Sequence, residues 1–407
     1  MATENRDRSD AKNDAVRDSV LSPEEIARYS RHIMLPQVGL EGQEKITRAR
    51  ILVIGMGGLG SPASLYLAAA GVGTLGLADF DVVEAHNLQR QIIHRDDSVG
   101  KPKIRSAERQ LEALNPNVRL REHADGITVE NALSIFSDYD VIVDGSDNFP
   151  TRYLSNDAAF FAKIPLVYGS IFQFEGQVAV FHPTAGSPCY RCLFAQMPEP
   201  GSVPNCEEAG VFGALCGVIG SMQALEAIKL ILGIGDPSTG RFFLADTLGM
   251  HFRTLNIRKD PGCPLCGNDP VITELRSENY DYSCAPGEQS VAEKAESSVS
   301  AIPLEVDVST ARDLLDASPE AFLLDVREPY EVAICEIDGG ENIPMRQLPD
   351  RVDSLPHDRP IVVYCHTGIR SLNVAKFLHA KGWENATSMA GGISEWARQF
   401  DPDMAQY

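Results

Sequence analysis

The 407-residue chain carries 36 Lys and Arg against 57 Asp and Glu, a formal charge of −21, with 43% apolar residues. Such a composition is globular, and its length fits two or three domains. Its acidity argues against general nucleic-acid binding and polybasic membrane attachment, though it leaves room for one local basic pocket.

Residues 1–20 are polar and read as a disordered tail with no apolar export signal, so the cytoplasm is the expected compartment. Ser22-Pro23-Glu24-Glu25 forms a capping-box pattern with proline in the first turn and predicts a short helix through Arg31. From Arg50 to Gly169, short apolar runs bounded by Gly or Asp alternate with helical patterns. Ile51–Ile54, Leu75–Ala78, Val141–Val143 and Leu166–Tyr168 suit strands covered on both faces. Ile104, Ala107, Leu111 and Leu114 form a helical stripe behind Pro102. The expected architecture is α/β, a doubly wound and mostly parallel sheet.

Within it, Gly55-Met-Gly57-Gly58-Leu-Gly60 follows the first strand and opens a helix. Glycines let backbone N–H groups approach phosphate, and the helix N-terminus adds positive potential. Asp79 ends the next strand, where an acid binds ribose hydroxyls. A nucleotide site follows, although this loop alone does not separate NAD from ATP. Arg90, Lys103 and Asp147-Asn148 then fall in loops at the ligand-binding edge of such a sheet. Nicotinamide chemistry needs no such charge cluster, whereas attack at an α-phosphate does: Arg and Lys offset developing charge, and Asp147 can hold Mg²⁺.

The runs Gly55–Ser61, Asp79-Phe80-Asp81, His86-Asn87-Leu88-Gln89-Arg90-Gln91, Gly100-Lys-Pro-Lys103 and Asp144-Gly-Ser-Asp147-Asn148 resemble the ubiquitin-activating superfamily, in particular its MoeB/ThiF adenylyltransferase branch. The resemblance covers about residues 22–270. It implies that ATP and the C-terminal carboxylate of a ubiquitin-like carrier ending in Gly-Gly react to an acyl-adenylate and pyrophosphate. It further implies nucleotide contacts from Gly58, Asp79, the His86-Asn87-Leu88-Gln89-Arg90 run, Lys103 and Asn148, with Mg²⁺ on Asp147. Arg28-Tyr-Ser-Arg31 resembles the segment whose second arginine reaches a neighbouring protomer's ATP. Arg31 is thus either an arginine finger in a homodimer or a solvated surface cation.

Nine cysteines in such a chain point to metal or catalytic thiols, not a disulfide frame. Cys189-x₂-Cys192 and Cys263-x₂-Cys266 offer four thiolates for a closed tetrahedral Zn²⁺ shell, a structural clip with no catalytic position. Cys206 sits in a polar segment ahead of an apolar stretch. The resemblance puts a cysteine there in a crossover loop, able to form a thioester or to resolve an acyl disulfide; an exposed bystander is the alternative. Val211–Ile234, interrupted by Gln223, Glu226 and Lys229, reads as a buried helix rather than a membrane span, with Cys216 as core filler.

The adenylyltransferase-like domain is assigned to residues 21–280, a polar linker to 281–303, and a second, smaller α/β domain to 304–403. In the latter, Phe322–Val326 and Ile361–Tyr364 suit strands, and Ser371–Lys381 suits a helix. Cys365-His-Thr-Gly-Ile-Arg370 lies between strand and helix, where loop amides stabilise an anion on sulfur. The C-x₄-R loop is one residue shorter than that of cysteine phosphatases, which favours a persulfide over a tetrahedral phosphate. Together with Asp325-Val-Arg327-Glu328-Pro and Gly391-Gly392-Ile-x-x-Trp396 it resembles a rhodanese domain. That resemblance implies a persulfide on Cys365, steadied by Arg370 and loop amides, with a cysteine desulfurase or thiosulfate as sulfur donor. Ile334-Cys335-Glu336 departs from the usual rhodanese pattern.

Over its full length the chain resembles MoeZ-type adenylyltransferase/sulfurtransferase fusions, which implies carrier adenylation followed by sulfur transfer to a thiocarboxylate. The weighed alternatives are a nicotinamide-dependent oxidoreductase and a non-catalytic zinc scaffold for a carrier.

Overall fold

Four of the apolar runs expected as strands form the centre of an eight-stranded sheet. The computed structural model describes residues 20–183, 186–198, 210–280, 302–318 and 320–407. Cys206, most of the tail and most of the linker lie outside the described residues. The described chain divides into two compact units, 20–280 and 302–407.

In the larger unit β1 (Arg50–Ile54), β2 (Thr74–Ala78), β3 (Arg119–His123), β4 (Val141–Asp144) and β5 (Leu166–Phe172) run parallel. Strands β6 (Glu175–Phe181), β7 (Arg241–Asp246) and β8 (His251–Asn256) extend the sheet antiparallel, in the order β3-β2-β1-β4-β5-β6-β7-β8. The chain reverses its winding between β1 and β4, the point at which open sheets of this type bind ligands.

Ser22 caps a helix over Pro23–Arg28 with Glu25 closing the box, as its sequence predicts. That helix stops before Arg31: Tyr29 breaks the helical geometry, and Ser30–Ile33 forms a separate turn. The stripe behind Pro102 becomes the helix Lys103–Leu114, burying Ile104, Ala107 and Leu111, with Leu114 outside the core.

The helix Gly213–Leu232 is long and apolar enough by composition to cross a bilayer. Its polar residues instead lock it onto the sheet. Gln223 is fully buried and donates to the carbonyl oxygens of Asp144 at 2.6 Å and Val167 at 3.2 Å. Glu226 accepts the Ser238 amide at 2.8 Å. A buried amide with both donors satisfied on the sheet fits a protein core.

The smaller unit is a five-stranded parallel sheet, β11-β10-β12-β13-β9. Its members are β9 (Glu305–Val306), β10 (Phe322–Asp325), β11 (Glu341–Asn342), β12 (Ile361–Tyr364) and β13 (Ala386–Met389). Apolar clusters line both of its faces, one around Leu324, Val363 and Trp383, the other around Leu323, Val362 and Ile393.

Candidate functional sites

Strand β1 turns through Gly55, at φ +82°, into the helix Gly60–Ala69. A Cβ on Gly60 would overlap the Gly55 carbonyl, so the turn closes only with glycine there. The loop between them is clamped at both backbone polar groups of one residue, Met56. Asp79 accepts the Met56 amide at 2.6 Å, and His94 Nε2 lies 2.9 Å from the Met56 carbonyl oxygen. A carbonyl only accepts, so Nε2 carries the proton and Nδ1 accepts from the Ser106 hydroxyl at 2.9 Å.

Burial pushes the His94 imidazole down to about 4. Its folded-state pKa lies below its unfolded value, so the fold keeps this group's contribution above about pH 6.5 and loses it as pH falls toward 4. Thermal unfolding followed from pH 7.5 to 4.5 is expected to show wild-type stability dropping by on the order of 2–3 kcal/mol through this group alone. His94→Gln, which can still donate to Met56, is expected to flatten that slope. An equal slope in both proteins would show that His94 does not titrate on unfolding.

Above the loop opens a cleft lined by Gly58, Asp79, Asp81, Arg90, Lys103, Asp147 and Asn148. A contiguous compartment shares Asp81, Lys103, Asp147 and Asn148 and adds Asn87. Each side chain has an identifiable support. Asp79 also accepts the Asp81 amide at 2.8 Å, and burial pushes its carboxyl up against the pull of Lys103 and these amides. Lys103, buried at the start of its helix, donates to Asp81 at 2.8 Å. Arg90 is nearly buried and donates to the His86 carbonyl at 3.2 Å. Asn148 caps the helix Phe149–Ala162 through the Thr151 amide at 2.9 Å. Asp147, immediately before it, is exposed in the cleft and makes no ion pair among the described residues. Two cations, a helix N-terminus and glycine-loop amides make this a polyanion cradle, with one carboxylate free to share a divalent cation.

The two cysteine knuckles meet. The Sγ atoms of Cys189, Cys192, Cys263 and Cys266 lie within 4.8 Å of one another, with Cys189–Cys263 at 3.6 Å and Cys192–Cys266 at 3.3 Å. Amides of Asp260 and Cys266 point at Cys192 and Cys263. Four sulfurs at this spacing, with amide donors around them, suit a closed tetrahedral thiolate shell. Between the first two cysteines, Arg191 forms a buried bidentate pair with Asp157 of the helix Phe149–Ala162 at 2.8–3.0 Å. The cysteine cluster and the helix that carries Asn148 are therefore tied by a charge-assisted bond.

In the smaller unit β12 delivers Cys365, 1% exposed, into a loop that ends at Gly368 with φ +95°. The Gly368 amide points at Cys365 Sγ from 3.1 Å, and Ser371 Oγ lies 3.6 Å away. Ser371 is held in turn by Ser388 at 3.0 Å. Arg370, in the first turn of the helix Ile369–Ala380, forms two bonds to Glu331 at 2.7 and 2.8 Å.

Residues 29–265 match the model of the ThiF family. The chain belongs to the ThiF family. Residues 307–399 match a rhodanese-like domain. Along nearly its whole length the chain is similar to the probable adenylyltransferase/sulfurtransferase MoeZ of Mycobacterium tuberculosis, 45% identical over 96% of this chain and 97% of that protein. It is likewise similar to the adenylyltransferase and sulfurtransferase MOCS3 of Bos taurus, 40% identical over 96% of this chain and 89% of that one. The ThiF domain alone is 54% identical to a sulfur carrier protein adenylyltransferase of Thermus thermophilus, across 64% of this chain and 97% of its own. Among solved structures, E. coli MccB with MccA-N7isoASN shares the fold at TM-score 0.54 and 24% identity, over 61% of this chain and 76% of that chain. The chain is thus an enzyme, an adenylyltransferase joined to a sulfurtransferase. This sets aside both the nicotinamide oxidoreductase and the non-catalytic scaffold.

The ThiF cleft brings together Gly58, Asp79, Asn87, Arg90, Lys103, Asp147 and Asn148, drawn from five separate loops and helices. His86, Leu88 and Gln89 are not among its lining residues; His86 instead faces Glu84 from the surface, at 3.5 Å. Arg31 is exposed and lies 3.7 Å from Met34 Sδ, outside this chain's own cleft lining. Cys216 is fully buried against the glycine loop, where a Cβ on Gly58 would press on its sulfur. Sequence reasoning assigned no role to His94, Glu331 or the Asp81 partner of Lys103. Asp81 stood inside a recognised run, whereas His94 and Glu331 gain their partners only through tertiary contact.

Proposed function

We propose that the ThiF domain adenylates the C-terminal glycine of a ubiquitin-like sulfur carrier and that Cys365 then supplies the sulfur for a thiocarboxylate. The carrier carboxylate attacks the α-phosphorus of ATP, and pyrophosphate leaves. Gly58 and its neighbouring amides hold phosphate oxygens, Asp79 holds the ribose, and Arg90 and Lys103 offset the charge that develops. Lys103 must exchange its bond with Asp81 for a phosphate oxygen. Asp147 would hold a Mg²⁺ ion, which would supply charge neutralisation for the leaving pyrophosphate. The four clustered cysteines hold a structural Zn²⁺.

In the second half, the outer sulfur of the Cys365 persulfide attacks the activated carbonyl and AMP departs with the electron pair. The resulting acyl disulfide is opened by a second thiol, for which Cys206 is the candidate. The carrier thiocarboxylate leaves, and the Cys365–Cys206 disulfide that remains is reduced by a cellular dithiol. The Gly368 amide and the helix dipole behind it stabilise the anionic sulfur on which both transfers depend.

The enzyme works as a cytoplasmic homodimer in which Arg31 reaches the neighbouring protomer's nucleotide, with domains over 21–280 and 304–403 joined by the linker 281–303. Its sulfur comes from a cysteine desulfurase or from thiosulfate.

The observation that carries this reading is the presence in one chain of a polyanion cleft with Arg90, Lys103 and Asp147 and of a buried thiol facing a helix-terminal amide at 3.1 Å. ATP–pyrophosphate exchange with carriers ending in Gly-Gly tests the first half. The mass of the carrier tests the second, the expected change being one oxygen replaced by sulfur. Exchange without any carrier dependence would overturn the reading.

A further inference from the structure

The strongest unassigned feature lies beside the sulfur loop. Tyr407 stacks on His366, the residue after Cys365, with ring centroids 4.3 Å apart and planes at 12°. Its hydroxyl accepts from Arg327 Nη1 at 2.9 Å and donates to Glu331 Oε1 at 3.0 Å. Glu331 is 1% exposed and is the carboxylate that grips Arg370 with both oxygens. Arg327, fully buried, is fixed in turn by a bidentate pair with Asp325, closest at 2.6 Å. Burial pushes the Tyr407 phenol up, so the hydroxyl keeps the proton it gives to Glu331. One side chain thus touches both ends of the loop, through the ring at His366 and through Glu331 at Arg370.

We propose that Tyr407 is a positioning residue of the sulfur-transfer site, holding His366 with its ring and aiming Arg370 through Glu331 with its hydroxyl. Resting on the reading that Cys365 carries the sulfur, this adds a residue about forty positions away that sets the loop's geometry. Two carboxylates and two guanidiniums in the network neutralise one another, so Tyr407 contributes direction, not charge. Tyr407 is only partly buried and belongs to neither apolar cluster of its sheet, so its loss is expected to disturb the loop more than the fold.

The test uses the full chain with thiosulfate and cyanide as probes. The Cys365 thiolate attacks the sulfane sulfur, the S–S bond of thiosulfate breaks and sulfite leaves with the electron pair. Cyanide then removes the sulfane sulfur as thiocyanate and restores the thiolate. Tyr407→Phe keeps the stack and loses the hydroxyl, and is expected to lower kcat/KM for thiosulfate by about 3- to 10-fold. Tyr407→Leu loses both and is expected to lower it by more than about 10-fold, since small misplacements of a positioned group cost this much. The unfolding midpoint of the domain and ATP–pyrophosphate exchange are expected to stay at wild-type values in both variants.

Variants within twofold of wild type, or losses that simply follow a falling unfolding midpoint, overturn the assignment of Tyr407. A wild-type chain that yields no more thiocyanate than Cys365→Ala overturns the sulfur-carrier reading itself, and this inference with it.

Discussion

Cys365→Ala is expected to abolish thiocarboxylate formation while leaving carrier-dependent ATP–pyrophosphate exchange at the wild-type rate. The two halves of the reaction use different residues. In the proposed reaction adenylation draws on the glycine loop, Arg90, Lys103 and Asp147, all within the larger unit, whereas the sulfur is assigned to one atom on the smaller one. Removing the thiol proposed to carry the sulfur removes a covalent intermediate, so the loss is expected to reach on the order of 10³-fold or more. The fold has little reason to suffer. Cys365 is buried, but alanine leaves only a small void beside Ser371 and the Gly368 amide. The measurement is carrier mass after incubation with ATP and a sulfur source, alongside pyrophosphate exchange on the same preparation. Unchanged thiocarboxylate yield in the variant, without added sulfide, would falsify the assignment of sulfur transfer to Cys365. A parallel loss of exchange would instead show that the two sites are energetically coupled.

The separation of these sites was legible in the sequence because each is built on local chain order. A strand, a glycine turn and a helix follow one another without interruption at Gly55–Gly60, and the same sequence of elements recurs at Cys365–Arg370. The β-branched runs at Ile51–Ile54 and Ile361–Tyr364 are buried on both faces of their sheets, so they show as continuous apolar segments. β3 gave no such signal. Arg119, Arg121, Glu122 and His123 occupy an edge strand whose outer surface meets solvent, and charges there protect the edge. The antiparallel edge strand β8 gives no apolar run for a related reason, since it is exposed along its whole length.

What stayed illegible in the sites has one physical origin, pairing between residues far apart in sequence. Lys103 meets Asp81 across 22 positions, His94 meets the Met56 carbonyl across 38, and Arg370 meets Glu331 across 39. Spacing rules see only neighbours on one helix or strand. The cysteine knuckles escape this limit because two C-x₂-C pairs carry their own geometry, and they meet despite the 74 positions between Cys189 and Cys263. The net charge of −21 likewise conceals the cleft. Its Arg90 and Lys103 are nearly buried among Asp79, Asp81 and Asp147, so the local arrangement of charge there is set by tertiary contact and not by the whole-chain sum.

Asp147 provides the sharpest separation of chemistry from stability in the larger unit. It is exposed, has no ion pair among the described residues and stands just before the N-terminus of the helix Phe149–Ala162. Asp147→Ala is therefore expected to change folding stability by no more than about 0.5 kcal/mol, within the range of surface substitutions. Its effect on adenylation is expected to be about 10²- to 10⁴-fold in carrier-dependent pyrophosphate exchange, because a carboxylate that shares a cation with the leaving group acts mainly in the transition state. Asp147→Asn keeps the volume and loses the charge, so it is expected to fall with the alanine variant rather than with wild type. Lys103→Ala is expected to be as damaging in exchange yet less clean, since it strips Asp81 of its 2.8 Å partner and lowers stability as well. Titrating Mg²⁺ separates the two variants. The apparent Mg²⁺ requirement is expected to rise in Asp147→Asn and to stay unchanged in Lys103→Ala. Pyrophosphate exchange by Asp147→Ala at the wild-type rate and at the same Mg²⁺ concentration would remove the carboxylate from the reaction.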